Sequence, residues 1–349
     1  MIPKHSDSSS ETGRASLLLG DILLPLRLVV GWTYFSAFWR RLVLENKLIP
    51  DAPGYIGEKF NHFLPNALVI KPVIEFFVSQ PVLLWWQLAV FTAVEAVVGL
   101  ALMAGFVTRL AGIATSLLAF GILLGAGWLG TTCLDEWQIG VLGITAGLVC
   151  AMAGGGRYSA DRFLMRRFPS LTNTWWGKIT FGSALQKPRL LSRLALAGGI
   201  AVFALTLATN QAFHGGVWGT LHNKSVRPKV EITDARLGPD GLNFTAQRVE
   251  GADVYGSFLV EARLLDGAGQ EEVAWSAETL AKTPVTDIEN RYVAKIKPGP
   301  HGLVLPLGAK ATLLLRHEAL RRLTTGPHTL ELVDVSGAKW TAPVHGNTP

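Results

Sequence analysis

The fold is decided by one apolar stretch, LLWWQLAVFTAVEAVVGLALMAGF (residues 83–106), in which Glu95 is the single charged residue. A bilayer span requires about 20 mostly apolar residues in a row, and this stretch satisfies that requirement. Four more stretches also do so, namely residues 17–39, 110–129, 137–153 and 190–209. The sequence therefore predicts a membrane all-α bundle with five transmembrane helices.

The chain after about residue 212 has the composition of a soluble domain. Short runs rich in β-branched residues alternate there with turn sequences such as Pro239-Asp240-Gly241. The runs are residues 229–233, 242–247, 256–265, 303–305, 311–316 and 329–333. Several short strands at this spacing predict a C-terminal all-β sandwich, for which we expect an immunoglobulin-like fold.

These patterns predict four consecutive regions. The first, polar and serine-rich, is expected to be disordered. The regions are a disordered N-terminus (1–15), a four-helix transmembrane domain (16–170), a cytoplasmic loop with the fifth helix (171–212) and an extracytoplasmic β domain (213–349).

Basic residues predict the orientation of the helices. They crowd the loop after the fourth helix, at Arg157, Arg162, Arg166, Arg167, Lys178, Lys187, Arg189 and Arg193. The positive-inside rule places this loop in the cytoplasm. The N-terminus is then cytoplasmic, and the β domain lies outside a bacterial-type cytoplasmic membrane. Segment 40–82, expected to form short helices, must also lie outside, so its cations need another explanation.

The composition argues against several classes of function. The net charge is +6 at pH 7, but the cations lie in loops between apolar stretches, so we expect no nucleic-acid partner. Two cysteines are too few for a disulfide framework or a typical metal cluster. The sequence contains no C-x-x-C-H haem motif, dinucleotide fingerprint or P-loop, and no motif for haem, flavin or a metal is recognised.

Two charged residues lie deep within predicted spans. Arg27 and Glu95 are expected near the middle of the first and second helices, where an unpaired charge costs a few kcal/mol or more. We therefore predict an ion pair between them. Its role stays open between setting the helix register and lining a proton relay or quinone pocket. Trp85 and Trp86 either belong to an interfacial aromatic belt or flank a quinone headgroup.

A reactive cysteine is the second candidate feature. Cys133 lies in the turn between the third and fourth predicted helices, beside Asp135 and Glu136. Unpaired thiols are uncommon outside the cytoplasm, whereas Cys150 is expected to be a buried core residue. Cations predicted on the outer side could attract a small anion. They are Arg40, Arg41, Lys47, Lys59, His62, His214, His222, Lys224, Arg227 and Lys229.

Four motifs resemble one membrane family. Residues 95–109 resemble its E-x-x-x-G-x-x-L-x-x-G-x-x-T-R signature, and Arg27-Leu-Val-Val-Gly31 and Gly156-Arg-Tyr-Ser-Ala-Asp161 fit the same pattern. The family is the DoxX-like group of four-helix membrane proteins. The turn Cys133-Leu-Asp-Glu-Trp-Gln138 resembles its DoxD branch. A fifth helix followed by a β domain is similar to a DoxA region fused behind DoxD.

The resemblance implies a thiosulfate:quinone oxidoreductase, whose partners would be thiosulfate, membrane quinone and the bilayer, with a homo-oligomer possible. Quinone would be the electron-accepting substrate. We assign catalysis to Cys133, Asp135 and Glu136. Thiosulfate binding is assigned to Arg40, Arg41, His222 and Lys224, and the quinone or proton pathway to Arg27, Glu95, Trp85 and Trp86. Two alternatives remain: a non-catalytic assembly or anchor module for a redox partner, and a sulfur-anion carrier that uses Arg27.

Overall fold

A computed structural model describes residues 7–127, 136–180, 188–222, 227–252, 257–323 and 326–346. The chain divides into two compact units, and each is described by itself. The helical unit comprises the described parts of residues 1–53, 86–124 and 136–221. The second unit comprises the described parts of residues 54–85, 125–135 and 222–349.

The first predicted span is two helices rather than one. Helix α1 (Asp7–Ile22) ends before Leu23, and helix α2 (Leu24–Phe38) begins after it. Pro25 lies in the first turn of α2, where its missing N–H and fixed φ are tolerated, whereas inside a continuous helix both are disruptive. The prediction of a single helix over residues 17–39 is therefore wrong.

A wide helical turn follows α2 and carries the first outer cations of the sequence prediction. The turn is π-helical and covers Trp39–Val43, including Arg40 and Arg41. Two short helices come next, α3 (Ile56–His62) and α4 (Lys71–Val78). They confirm that segment 40–82 contains short helices.

The remaining helices include all those of spanning length. Within the described residues, four helices are long and apolar enough to cross a membrane. They are α5 (Pro81–Ala104), α6 (Thr108–Ala126), α7 (Glu136–Ala153) and α10 (Pro188–Phe213). The short helices α8 (Ala160–Arg167) and α9 (Trp175–Thr180) lie between the last two. These four long helices confirm the predicted second to fifth apolar segments.

Helices α2 and α5 approach each other closely at two glycines. A Cβ added at Gly99 would lie 2.6 Å from the carbonyl oxygen of Gly31, and one added at Gly31 would lie 2.8 Å from the carbonyl oxygen of Gly99. Small residues at helix crossings allow such contact between backbones inside a membrane. This crossing brings the segment after α2 to the side of α5.

The second unit contains an all-β domain. Its strands are β1 (Lys229–Gly238), β2 (Gly241–Glu250), β3 (Ser257–Leu265), β4 (Glu271–Ser276), β5 (Ile288–Asn290), β6 (Lys297–Gly299), β7 (Gly302–Leu305), β8 (Lys310–Leu315), β9 (His328–Asp334) and β10 (Lys339–Gly346). Their order is β5-β8-β2-β1-β10-β9-β3-β7-β6, and β4 pairs with β3. The β1–β10 pair is parallel and all the other pairs are antiparallel.

Alternation of side chains along these strands builds the core of the domain. Strand β8 buries every second residue, and strand β9 does the same in the opposite phase, as expected when one face of a strand packs inward. Trp275 and Phe244 are the largest apolar side chains in this core. A one-turn helix, α11 (Ala277–Ala281), follows β4. All six predicted strands are present, and the immunoglobulin-like type remains a prediction.

Candidate functional site

The helical unit contains a buried ion pair. Arg41 Nη1 lies 2.5 Å from Glu95 Oε2 and 2.9 Å from the hydroxyl oxygen of Thr92. The side chains of Arg41 and Glu95 are only 15% and 5% exposed. Thr92 and Glu95 lie three residues apart on α5 and therefore share one face of that helix. Arg41 reaches this face from the π-helical turn that follows α2.

Two aromatic residues interact with members of the pair. The guanidinium carbon of Arg41 lies 6.0 Å from the centre of the Phe91 ring, at the outer limit for a cation–π contact. Tyr34 is buried and interacts electrostatically with Glu95. Its hydroxyl donates a long hydrogen bond, 3.4 Å, to the carbonyl oxygen of Thr115. We call Tyr34, Arg41, Thr92 and Glu95 the ion-pair cluster.

The predicted partner of Glu95 is wrong, because the structure pairs Glu95 with Arg41 and not with Arg27. Arg27 donates from Nη1 to the carbonyl oxygen of Gly155 and from Nη2 to that of Tyr158, the latter at 2.6 Å. Its guanidinium also lies against Gly105, ten residues after Glu95. Ten residues of helix correspond to about 15 Å, so the two charges lie at different heights along α5.

The break at Leu23 explains this difference. The prediction treated residues 17–39 as one helix and therefore placed Arg27 near its middle. In the structure Arg27 lies in the first turns of α2, and the helical path continues through the π-helical turn to Val43. As a result, Arg41 lies at the same height along α5 as Glu95 and pairs with its carboxylate.

Arg27 belongs to a separate network built from the residues of the family-like motifs. The Asp161 carboxylate accepts hydrogen bonds from the backbone N–H of Val107 at 2.6 Å, and from the N–H and hydroxyl of Thr108 at 2.8 and 2.7 Å. Burial raises the pKa of Asp161, and these hydrogen bonds together with the charge of Arg27 oppose the rise. Arg109 is also buried and interacts electrostatically with Asp161. The network fastens helix α8 to the turn between α5 and α6.

The other predicted binding residues occupy different environments. Arg40 is exposed, and its Nε donates to the carbonyl oxygen of Ser36 at 3.3 Å. Trp86 is 59% exposed and Trp85 is half-buried, both near the start of α5. His222 is half-buried. The described residues thus unite two of the predicted site residues, Arg41 and Glu95.

Cys133, Asp135 and Lys224 lie outside the described residues. Glu136 begins α7, and the next residue contacts the end of α10. Trp137 Nε1 donates to the Thr209 hydroxyl oxygen at 2.8 Å, and its ring meets that of His214 edge to face with the centroids 5.6 Å apart. The first residues of α7 therefore contact the end of α10.

The sequence contains a signal for the role of Arg41. Arg40 and Arg41 directly follow an apolar stretch in a segment predicted to lie outside, where cations need an explanation. A carboxylate within the neighbouring span provides that explanation for Arg41. Tyr34 and Thr92 had no comparable signal, because single hydroxyl residues are common in apolar helices. Among the described residues no cluster of His, Cys, Asp and Glu could hold a metal ion.

Comparison with known families gives two matches along the chain. Residues 22–186 match the family described as TQO small subunit DoxD, and residues 213–343 match the family described as TQO small subunit DoxA. The first match contains the ion-pair cluster and the Asp161 network, and the second covers most of the β domain. No solved structure matches the chain.

Proposed function

Because the chain belongs to the DoxD/DoxA membrane family of thiosulfate:quinone oxidoreductase (TQO), we propose that it oxidises thiosulfate to tetrathionate and transfers the two electrons to membrane quinone. The observation that carries this proposal is the match of both family regions, in order, on one chain. The buried ion pair among helices of spanning length supports it, since intramembrane charges commonly mark ion, proton or substrate pathways.

The overall reaction sets the chemical requirements. Two thiosulfate dianions, one quinone and two protons give one tetrathionate dianion and one quinol. Sulfur oxidation releases two electrons and no protons, so the protein must supply both protons to the quinone from elsewhere. The site therefore needs a nucleophile or a surface that joins two sulfur anions, cations that offset their charge, and a group that passes protons.

We assign the sulfur chemistry to Cys133. Its thiolate would bond to the outer sulfur of one thiosulfate while the quinone accepts two electrons and two protons, leaving a cysteine S-thiosulfonate. A second thiosulfate would then attack this adduct, form tetrathionate and release the thiolate. This is covalent catalysis divided into two steps. Asp135 and Glu136 are the proposed proton carriers beside the thiolate.

Cations must offset the charge of two dianions. Arg40, His222 and Lys224 remain the proposed substrate ligands. The sequence analysis also assigns Arg41 to thiosulfate binding, but the Arg41 guanidinium binds Glu95 and Thr92. We therefore place Arg41 with Glu95 in the proton pathway to the quinone.

The proposed quinone region lies along α5. Trp86 is nine residues before Glu95 on this helix, a rise of about 13 Å. Trp85 and Trp86 would flank the quinone headgroup, and Glu95 would take up a proton and pass it towards the quinone as the quinone is reduced to quinol. Arg41 would stabilise the Glu95 carboxylate after the proton has left. Arg27 is proposed to act by fixing helix positions, since its guanidinium bonds carbonyl oxygens at the ends of helical segments.

The proposed orientation keeps the N-terminus in the cytoplasm and the β domain outside the cytoplasmic membrane. The basic segment after α7 supports it through the positive-inside rule. The second unit also supports this orientation. It contains both residues 54–85 and the β domain, so the proposal places these two parts on the same side of the membrane. The domain boundaries at residues 171 and 213 are proposed from the sequence pattern, whereas α1 (Asp7–Ile22) runs across the predicted boundary at residue 16 and is helical where disorder was expected.

The test is thiosulfate-dependent reduction of a soluble quinone analogue by the purified full-length protein in detergent, with tetrathionate assayed in parallel. We expect two thiosulfates consumed for each quinone reduced, and no reduction when sulfate replaces thiosulfate. Thermal unfolding of the same sample establishes that the protein is folded. Absence of turnover by folded protein would contradict the proposal and favour an assembly module. Uptake of labelled thiosulfate into proteoliposomes without quinone would favour the carrier.

A further inference from the structure

The second unit joins two parts of the chain that are far apart in sequence. One part is the pair of short helices α3 and α4, which we call the docking helices. The other is the segment between β5 and β6 (residues 291–296), which we call the docking loop. Three consecutive residues of the docking loop each form a hydrogen bond to this helical part.

One of these three hydrogen bonds is short, and the other two are at the long end of the usual range for an N–H donor. The Tyr292 hydroxyl donates to Glu75 Oε1 at 2.5 Å. The Val293 N–H donates to the carbonyl oxygen of Val78 at 3.2 Å, at the end of α4, where carbonyls lack partners within the helix. The Ala294 N–H donates to Asn61 Oδ1, also at 3.2 Å.

The contact is buried on both sides. Asn61, Ile74 and Val78 of the helical part are at most 1% exposed, and Ala294 of the docking loop is fully buried. A buried backbone N–H without a partner destabilises the folded state. Asn61 satisfies such an N–H and is itself excluded from water.

A glycine completes the fit. Gly308 has φ of +76°, and a Cβ at this position would lie 2.4 Å from the carbonyl oxygen of Asn61. The Gly308 N–H donates to the carbonyl oxygen of Arg248 at 2.9 Å. Arg248 is buried and donates to the carbonyl oxygens of Leu305 and Ala252. The β domain therefore presents a backbone surface that is shaped to accept Asn61.

We infer that the docking helices are a recognition surface for a β domain of this kind, and that the docking loop is the element they recognise. The helices lie within the DoxD match and the loop lies within the DoxA match, and each match is described as a small subunit. If the partner is on a separate chain, we expect it to be a β domain whose backbone has the shape of the docking loop and Gly308. This recognition does not depend on the proposed reaction.

The first test separates the two halves after they have folded together. A protease site is inserted between His222 and Arg227 of the full-length chain, and membranes containing the protein are cleaved and washed. We expect the fragment that bears the β domain to stay on the membranes. The double variant Asn61→Ala/Tyr292→Phe should release it at least tenfold faster. The matched control is Glu278→Gln, which breaks an exposed ion pair elsewhere on the same domain and should retain the fragment as the wild type does.

Prompt release of the wild-type fragment would overturn the inference, as would equal retention of the double variant and the control. Because the double variant could misfold, a gain-of-contact measurement accompanies it. Val78→Cys/Val293→Cys places cysteines at two residues whose backbones are joined by a hydrogen bond, and a disulfide can form only between backbones that lie this close together.

In a background lacking both native cysteines, oxidation followed by cleavage should leave the two fragments joined on a non-reducing gel. The control is Val78→Cys/Asp240→Cys. The docking loop contacts the β2–β8 pair at the end that contains Lys310, whereas Asp240 lies next to the opposite end, at Leu242. This control should not cross-link. Failure of the Val78/Val293 pair to cross-link would also overturn the inference.

Discussion

Arg41 and Glu95 face each other at 2.5 Å in the helical unit, with side chains that are only 15% and 5% exposed. The pair joins the turn after α2 to the middle of α5. Two charges taken out of water are costly unless they neutralise each other and have further hydrogen bonds. Thr92 supplies one such bond. The pair therefore requires that α2 and α5 keep one register, whatever its role in electron or proton transfer.

Replacing both members of the pair separates its structural role from its chemical role. Arg41→Met or Glu95→Met alone should lower the free energy of unfolding by about 3–5 kcal/mol, because the remaining charge is left buried without its partner. The double variant Arg41→Met/Glu95→Met should recover most of this loss. We expect it to be folded and to lack thiosulfate-dependent quinone reduction. Full turnover by the double variant would show that the pair only sets the helix register.

The crossing of α2 and α5 can be tested at one glycine. Gly99→Ala should destabilise the protein by about 1–3 kcal/mol, since its Cβ would overlap the carbonyl oxygen of Gly31. Turnover should fall as well, because the wider spacing separates Arg41 from Glu95. The matched control is Gly121→Ala in α6, which has open space around it and should leave thermal unfolding unchanged or shift it slightly upward. Equal behaviour of the two variants would contradict the role of the crossing.

The proposed nucleophile has a matched control in the second cysteine. Cys133→Ser should reduce thiosulfate-dependent turnover by roughly 10³-fold or more, as expected for loss of a covalent nucleophile. Cys150 is buried within the helical unit, and Cys150→Ala should retain most of the activity with a modest loss of stability. Steady-state rates and thermal unfolding of both variants provide the measurement. A fully active Cys133→Ser protein would exclude the covalent route.

Tyr292 predicts a pH dependence for the stability of the second unit. Burial and then the hydrogen bond to Glu75 raise the pKa of Tyr292 above its usual value. The unfolded chain therefore loses this proton first, and the stability that Tyr292 contributes is complete below about pH 10 and is lost as the pH rises further. Tyr292→Phe should melt at a lower temperature than the wild type at pH 7, and the gap should narrow at pH 10.5. A gap that stays constant would contradict this assignment.

Features of the fold that depend on local sequence were predicted, and features that depend on contacts between distant residues were not. Helices α5, α6, α7 and α10 were predicted because a long apolar run is a local property. The six predicted strands were found for a similar reason, since alternation and turn residues act over a few positions. Strands β4, β5, β6 and β10 were missed. Strands β5 and β6 have only three residues each, and β10 contains Pro343, which argues against a strand although Trp340, Ala342 and Val344 alternate. Strand β4 is as long as the predicted β8, so its length does not explain why it was missed.

The candidate site was less predictable, because its members depend on distances through space. The sequence identified both Glu95 and the need for a buried partner, yet it named Arg27. Three cations, Arg27, Arg40 and Arg41, flank the same apolar segment. Which of them reaches Glu95 depends on where α2 begins and how closely it packs on α5. The effect of Pro25 on the helix start and the contact at Gly31 decide this together.

The sequence by itself determined that this protein has membrane-spanning helices and a separate β domain, because hydrophobic pattern and turn chemistry are written in short stretches of chain. It also carried the motifs that identify both family regions. Only the tertiary structure decided the partner of Glu95 and the joining of Asn61 to Ala294, which are 233 residues apart. Neither Asn61 nor Ala294 has a distinctive local sequence, since their roles arise from burial and backbone geometry that exist only after the chain has folded.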